Sequence, residues 1–117
     1  MTTPANAVIE ILTLTLKPGT RDWVHRLYVN EALPLLVRWG FHVVAHGPSL
    51  HDENSYYVIR AYESVEARQR EEDAYYGSDD WRQGPKEAIM AMIEHEAYTV
   101  VSLKTLQTWL DTLVYEG

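Results

Sequence analysis

The sequence predicts an α+β domain in which one antiparallel sheet carries helices on a single face. Three observations predict this fold class. Strand and helix patterns alternate in the order β-α-β-β-α-β, the 117 residues suit one domain, and a hydrophobic fraction of 46% suffices for a packed core. Because rules of handedness and adjacency restrict this order to few topologies, we expect four strands in the spatial order 4-1-3-2.

Local signals predict the first strand and the first helix. Residues 8–16, VIEILTLTL, are rich in β-branched side chains and end at a Lys-Pro-Gly turn, which is typical of a strand. A helix follows, with Thr20 as its N-terminal cap and Gly40 as its stop. Pro34 lies within this helix and lacks a backbone N–H, so we expect a bend near residues 30–34.

The same kinds of signal predict the remaining elements of the sheet and its second helical layer. Three further strands, rich in β-branched and aromatic residues, are expected at residues 41–46, 55–62 and 97–103. Between the last two, Ser64 caps a helix that Gly77 ends. A short turn carrying Trp81 then precedes another helix, which Pro85 begins.

The predicted helices leave one face of the sheet bare. To this face we assign five apolar strand residues, namely Leu12, Leu14, Val44, Val58 and Val100. Exposed apolar patches of that size mark association surfaces. The pattern therefore predicts a homodimer in which two sheets pack face to face as an α/β barrel.

The C-terminal segment, residues 104–117, is predicted to be an amphipathic helix outside the domain formed by residues 1–103. Its apolar residues recur at helical spacing and comprise Leu106, Trp109, Leu110, Leu113 and Val114. Thr105 is the expected cap. The helix would cover exposed sheet or the partner subunit, or it would form a lid over a cavity mouth.

Composition excludes several classes of partner and chemistry. Ten Lys and Arg residues against seventeen Asp and Glu give a net charge of −7, which disfavours nucleic acid and anionic membranes as partners. The absence of cysteine removes disulfides, thiolate metal sites and cysteine nucleophiles. The N-terminal residues lack the pattern of a signal peptide, and a cytoplasmic location is expected.

Four segments of the chain together resemble one known protein family. They are VIEILTLTLKPGTRDWVHRL, EALPLLVRWGFHVV, GPSLHDENSYYVIRAYESVEAR and YYGSDDWRQGP, in this order. They are similar to the NIPSNAP family, within the dimeric α/β-barrel superfamily, and the match spans residues 8–103. The resemblance implies a ferredoxin-like fold that dimerises.

The resemblance does not itself indicate a reaction. Relatives in the superfamily include monooxygenases, haem enzymes, isomerases and dehydratases, and fold alone does not fix function. Where family members often carry Arg and Tyr in the first strand, this chain has Leu12 and Leu14. The resemblance therefore implies a cavity that is more apolar than usual.

Three polar strand residues form the candidate catalytic group, placed on the side of the sheet away from the helices. In the predicted strand order Arg60 lies between Glu10 and His42, so the three span about 10 Å. Arg60 would hold an anionic oxygen, His42 would transfer a proton, and Glu10 would orient Arg60. The alternative is a structural Glu10–Arg60 ion pair in a dimer core.

Further residues are candidates for contacting a substrate. Neighbours of the catalytic group on the strands, together with one tryptophan, supply the predicted binding residues: Leu12, Leu14, Val44, His46, Tyr56, Val58, Tyr62 and Trp81. Aromatic residues near the helices, Tyr75 and Tyr76 with Trp81, could instead wall a pocket between sheet and helices.

Neither a metal nor another cofactor is expected. His42 and His46 have the i, i+4 spacing of a zinc pair on a helix, but on a strand they are about 13 Å apart. Each ligand must reach within about 2.2 Å of the same zinc ion, so one strand cannot supply both. The sequence also lacks a haem signature, a phosphate loop and a nucleotide fingerprint.

Together these features predict a cofactor-independent enzyme that performs proton-transfer chemistry on a small apolar molecule, aromatic or polyketide-like. Isomerisation, cyclisation and oxygenation of an easily ionised substrate all fit the candidate group. The alternative is a non-catalytic binding or assembly protein with a packed dimer core. A cavity below the roughly 300 Å³ typical of ligand pockets would favour that alternative.

Overall fold

The computed structural model describes the backbone of residues 5–116 and the side chains of residues 5–112. Its sheet has four strands in the order β2-β3-β1-β4, with all neighbours antiparallel, which confirms the predicted topology. The strands are β1 (Val8–Leu16), β2 (His42–Pro48), β3 (Ser55–Tyr62) and β4 (Ile93–Ser102). The bounds of β1 and β3 agree with the prediction, whereas β4 begins four residues earlier than expected.

Helices connect the strands and follow the last one. They are α1 (Arg21–Leu27), α2 (Leu33–Arg38), α3 (Val65–Tyr76), α4 (Asp79–Gln83), α5 (Lys86–Met90) and α6 (Leu103–Glu116). As predicted, the Ser64 hydroxyl caps α3 by accepting from the Ala67 N–H at 3.0 Å, and Gly77 follows its last residue. Among the helices of the described chain, none has the length and apolar character needed to cross a membrane.

The predicted first helix is divided by a π-helical segment, Tyr28–Ala32, between α1 and α2. The Leu33 N–H bonds to the Tyr28 carbonyl, five residues back. Pro34 comes next and has no N–H to donate, so the wider turn lies where a break was expected. Gly40, with φ +84°, ends α2 as predicted. Thr20 does not cap α1, because its hydroxyl donates to the Lys17 carbonyl at 2.7 Å.

The helices cover the same face of the sheet that the sequence prediction left bare. Leu12, Leu14 and Val58 are buried in one cluster with α-helical and π-helical residues, among them Tyr28 and Leu36. Glu10, Tyr56, Arg60 and Tyr62 share this helix-covered face by alternation and are buried. The prediction was wrong because both faces carry apolar residues, and a strand period of two does not say which set the helices cover.

The other side of the sheet is here called the open face. Its centre consists of half-buried and exposed residues that alternate with the core set: Ile11, Thr13, Tyr57, Ile59 and Thr99. Ile11 lies opposite both Ile59 and Thr99 at the centre of the sheet.

A bulge in β2 separates residues that strict alternation would place together. Val43 is paired with Arg60 and Ala45 with Ile59, so the register shifts at Val44, which is 48% exposed. His46 therefore lies on the helix-covered face, while His42 is exposed on the open face. The predicted alignment of His42, Val44 and His46 is wrong because one extra residue reverses the alternation.

Helix α6 begins two residues before its expected cap. The Ser102 hydroxyl accepts from the Lys104 N–H at 3.2 Å, so Thr105 lies inside the first turn. Trp109 and Leu110 are 56% and 47% exposed. Leu106 is half-buried, and the last two predicted stripe residues, Leu113 and Val114, have side chains outside the described part.

Candidate functional site

A cavity of about 210 Å³ lies between the sheet and the helices. Leu12, Leu14 and Val58 form its floor on the sheet. Its other walls come from the helical layer and β4, including Leu36, Trp81, Ile89 and Tyr98. Exposed lining residues, Lys86, Met90 and Glu96, mark the side that faces solvent. The site is thus a mainly apolar pocket on the helix-covered face.

Three buried polar atoms belong to residues that line this cavity. They are Tyr28 Oη, Tyr75 Oη and Arg60 Nη2, and they lack a hydrogen-bond partner among the described residues. Buried polar groups nearly always have a partner, because leaving one unpaired costs about 1–3 kcal/mol. We call these atoms the cavity donors, since a bound molecule with an oxygen acceptor could satisfy them.

Arg60 is held by Glu10, its neighbour across β1 and β3. Its Nε donates to Glu10 Oε2 at 2.7 Å. Its Nη2 also lies 2.7 Å from this oxygen, but the N–H groups of Nη2 are not directed at it and make no hydrogen bond there. Arg68 Nε donates to the other oxygen, Oε1, also at 2.7 Å. The structure therefore brings Glu10 and Arg60 together as predicted, and it adds Arg68 from α3.

A second carboxylate completes the charged cluster, which consists of Glu10, Arg60, Arg68 and Glu72. Glu72 Oε1 lies 3.4 Å from Arg68 Nη2, and Glu72 Oε2 lies 3.6 Å from Arg60 Nη2. The Tyr62 hydroxyl donates to Glu72 Oε2 at 2.6 Å. The sequence prediction missed both Arg68 and Glu72, because α3 is charged on most sides and no pattern marks which residues turn inward.

The two carboxylates of the charged cluster differ in their pKa values. Burial would raise the pKa of Glu10, but its contact with Glu72 and the charges of Arg60 and Arg68 hold that pKa below its usual range. Burial and the neighbouring Glu10 raise the pKa of Glu72 to about 7. Glu10 is therefore the ionised partner of the arginines, whereas Glu72 exchanges its proton near neutral pH.

The tyrosines around the cavity stay protonated at neutral pH. Burial raises the pKa values of Tyr28 and Tyr75, so both hydroxyls remain available as donors. The Tyr76 hydroxyl accepts from Arg60 Nη1 at 2.9 Å, and burial raises its pKa as well. Arg60 stays charged, because burial is outweighed by the nearby Tyr76 and Glu10, which raise its pKa. The cavity therefore offers neutral hydroxyl donors and one guanidinium.

A separate polar group, the His–Tyr cluster, lies at the other end of the helix-covered face. The fully buried Tyr56 hydroxyl is 2.7 Å from His25 Nδ1 and 3.2 Å from His46 Nδ1. Burial and the neighbouring His25 lower the pKa of His46. The Tyr28 and His46 rings, with centroids 5.0 Å apart, connect this cluster to the cavity wall.

The predicted site residues fall into three groups. Leu12, Leu14, Val58, Arg60 and Trp81 line the cavity. Glu10 and Tyr62 lie in or against the charged cluster, and Tyr56 and His46 lie in the His–Tyr cluster. His42 and Val44 are exposed and do not join either cluster, because of the β2 bulge. Within the described residues, no three His, Asp or Glu side chains are grouped closely enough to hold a metal ion.

Solved structures of other proteins share this architecture, whereas comparisons of the sequence find no match. No protein-family model matches the chain, and no curated protein matches it significantly. A NIPSNAP family protein of unknown function from Agrobacterium tumefaciens superposes with a TM-score of 0.76 at 18% identity, over 84% of this chain and 88% of that one. A NIPSNAP domain protein from Burkholderia xenovorans gives a TM-score of 0.73 at 16% identity, over 80% and 91% of the two chains.

The chain has the NIPSNAP-like, ferredoxin-type fold. A protein from Caulobacter crescentus, provisionally assigned as an antibiotic biosynthesis monooxygenase, shares the architecture with a TM-score of 0.64 at 16% identity, over 85% and 91% of the two chains. At these identities the likeness establishes the NIPSNAP-like fold and leaves the reaction to be argued from the site.

Proposed function

We propose that the protein binds a small, largely apolar molecule in the sheet–helix cavity and performs proton-transfer chemistry on it without a cofactor. The observation that carries this proposal is that the three residues with cavity donors all line one apolar pocket. A pocket with apolar walls and a few convergent polar groups is the usual form of a small-molecule site.

The size of the cavity limits the ligand. An apolar cavity of roughly 150 Å³ is enough to bind benzene. The volume of about 210 Å³ therefore suits a single substituted ring rather than a polyketide-sized molecule. Edge-to-face aromatic walls, in which the Tyr76 and Trp81 rings meet at 86°, favour a planar ligand.

The cavity donors suit reactions in which negative charge develops on oxygen. Arg60, Tyr28 and Tyr75 would stabilise an enolate or phenolate, as preorganised donors do in other active sites. His42 is not available as the base. Glu96, whose strand position opposite Leu14 is on the same face, is the carboxylate that lines the cavity and is our candidate for that role. Isomerisation, cyclisation and oxygenation remain the candidate reactions, and the provisional assignment of the Caulobacter protein agrees with the last of these.

We also propose that two copies pair through their open faces. Ile11, Tyr57 and Ile59 give this face an apolar centre, and the exposed Trp109 and Leu110 of α6 lie on the chain directly after its edge strand. A contiguous apolar surface of this kind is typical of an association site. The cavity lies on the helix-covered face, so dimerisation would leave it accessible.

A non-catalytic binding or assembly protein with a packed core is the second candidate, and the small volume of the cavity favours it. The value of about 210 Å³ lies below the roughly 300 Å³ at the lower end of ligand pockets. The first candidate requires turnover of a bound molecule, whereas the second requires none. Product analysis after incubation with a bound ring compound separates them.

The binding site itself is tested with a variant that fills the cavity. Ala32 is buried and lines the pocket, so Ala32→Leu should weaken binding of a ring probe such as phenol by at least about tenfold, or 1.4 kcal/mol. Ala74→Leu, at an exposed position of α3, is the matched control. Ligand-observed NMR titration measures both. Equal affinity of the two variants would contradict the placement of the site.

A further inference from the structure

We propose that the molecule bound in the cavity is an anion, and that it binds together with one proton, which Glu72 takes up from solvent. This inference rests on the proposed function, because it requires a ligand in the sheet–helix cavity. The expected ligand is a ring compound with one carboxylate, enolate or phenolate oxygen. Its affinity for the protein should depend on pH.

The hydrogen bonds of Arg60 leave one of its nitrogens for a ligand. Nε donates to Glu10 and Nη1 to the Tyr76 hydroxyl, whereas Nη2, although 2.7 Å from Glu10 Oε2, makes no hydrogen bond among the described residues and is a cavity donor. An anionic oxygen at this position would receive charge-assisted hydrogen bonds, which are about twice as strong as neutral ones. Tyr28 and Tyr75 line the same cavity, and their unpaired hydroxyls would add neutral donors.

The charges of the cluster balance before a ligand arrives. Two arginines face two carboxylates, so the charged cluster is neutral when both carboxylates are ionised and carries +1 when Glu72 is protonated. A bound anion therefore makes the charged cluster neutral only when Glu72 is protonated. Charged and titratable groups from β1, from β3 and from α3 itself surround Glu72: Glu10 on β1, Arg60 and Tyr62 on β3, and Arg68 and Tyr76 on α3.

Glu72 is the carboxylate that can take the proton. Glu10 is fully buried and each of its oxygens accepts from an arginine Nε at 2.7 Å, so its ionised form is held firmly. Glu72 has arginine contacts of only 3.4 and 3.6 Å, and its pKa is raised to about 7. An anion beside Arg60 Nη2 would raise the pKa of Glu72 further, because like charges in a buried site disfavour ionisation.

Calorimetric titration of the intact protein tests this coupling with benzoate and its neutral isostere benzamide at pH 6.5, 7.5 and 8.5. The dissociation constant of benzoate should rise by close to tenfold per pH unit above pH 7.5, the slope for one linked proton. Benzamide should show no such slope. Repeating the benzoate titration in two buffers of different ionisation enthalpy measures the proton uptake directly, and this needs no variant.

Two variants test whether Glu72 is the group that takes up the proton on anion binding. Glu72→Gln should flatten the pH dependence of benzoate binding, while Glu63→Gln, which removes an exposed carboxylate near the end of β3, should leave it unchanged. Benzoate binding that is independent of pH, or benzamide binding as tightly as benzoate at every pH, would overturn the inference and leave the proposed function standing. Failure of benzoate, benzamide and phenol alike to bind would overturn both.

Discussion

The two faces of the sheet are built from the same strands but differ in the polar groups that they bury. The helix-covered face buries an arginine and a glutamate, which are 1% and 0% exposed, beside an apolar cavity. The open face carries threonines among its apolar residues, such as Thr13 and Thr99, and buries no charge among the described residues. Charge is therefore concentrated where water is excluded, an arrangement that functional sites share with structural ion pairs.

The contrast also separates two roles that the sequence suggests for one surface. A bare apolar face and a catalytic group were expected on the same side of the sheet. In the structure the charged cluster and the cavity lie under the helices, and the opposite side is the one that we propose for association. Substitutions on one face should therefore alter ligand binding and stability, and those on the other should alter oligomeric state.

The largest expected effect is on the helix-covered face. Glu10→Gln leaves Arg60 and Arg68 without their shared carboxylate, and breaking a buried ion pair in this way costs about 3–5 kcal/mol. The same change at the exposed Glu63 should alter the free energy of unfolding by less than about 0.5 kcal/mol. Urea denaturation followed by circular dichroism measures both. A loss below 1 kcal/mol for Glu10→Gln would show that Glu10 is not the essential counter-ion.

The next effect concerns the open face. Ile59→Asp places an uncompensated charge at the centre of the proposed dimer contact, twice per dimer, and should weaken association by at least about a hundredfold. Val37→Asp, at an apolar position of α2 that is 61% exposed, should leave the dimer intact. Sedimentation velocity gives the masses. A monomeric wild-type protein, or an Ile59→Asp variant that still dimerises, would contradict the assignment of this face.

A pH-dependent effect should separate Glu72 from Glu10. The pKa of Glu72 in the folded state, about 7, lies above the ordinary value, so its ionisation destabilises the fold as pH rises from about 4.5 to 7. Glu72→Gln should remove this loss and be more stable than wild type at pH 8, by about 1–3 kcal/mol. Urea midpoints at pH 5.5 and pH 8 provide the measurement. Parallel pH profiles for the two proteins would show that Glu72 ionises normally.

The smallest effect is expected in the His–Tyr cluster. Tyr56→Phe removes two hydrogen bonds, but His25 and His46 are half-exposed and can bond to water instead, so the loss should be about 1 kcal/mol. Tyr57→Phe, the next residue and on the open face, is the control and should be nearly neutral. Thermal unfolding of the two variants compares a position on the helix-covered face with the adjacent position on the open face. A loss above 3 kcal/mol for Tyr56→Phe would indicate a fully desolvated network.

Much of the fold could be predicted because local signals and topology agree. The apolar run of β1, the Ser64 cap and the Gly40 stop are each fixed by backbone chemistry within a few residues. The strand order then places Glu10 opposite Arg60, as the structure has it. Resemblance and structure agree on the ferredoxin-type fold.

The site was less predictable, because it depends on which face the helices cover. The β2 bulge, which moves His42 away from Arg60, leaves no mark in a run such as FHVVAH. The inward positions of Arg68 and Glu72 on α3 depend on how that helix docks. Tertiary packing decides such details, and periodicity within one element does not record them.

The most direct test of the central claim is a crystal structure of the protein with 4-bromobenzoate, whose bromine is located by anomalous scattering. The account predicts a bromine peak inside the cavity between Leu12, Tyr28 and Trp81, with the carboxylate at Arg60 Nη2. A peak confined to the open face, or an unliganded cavity in a crystal grown at saturating ligand, would contradict it.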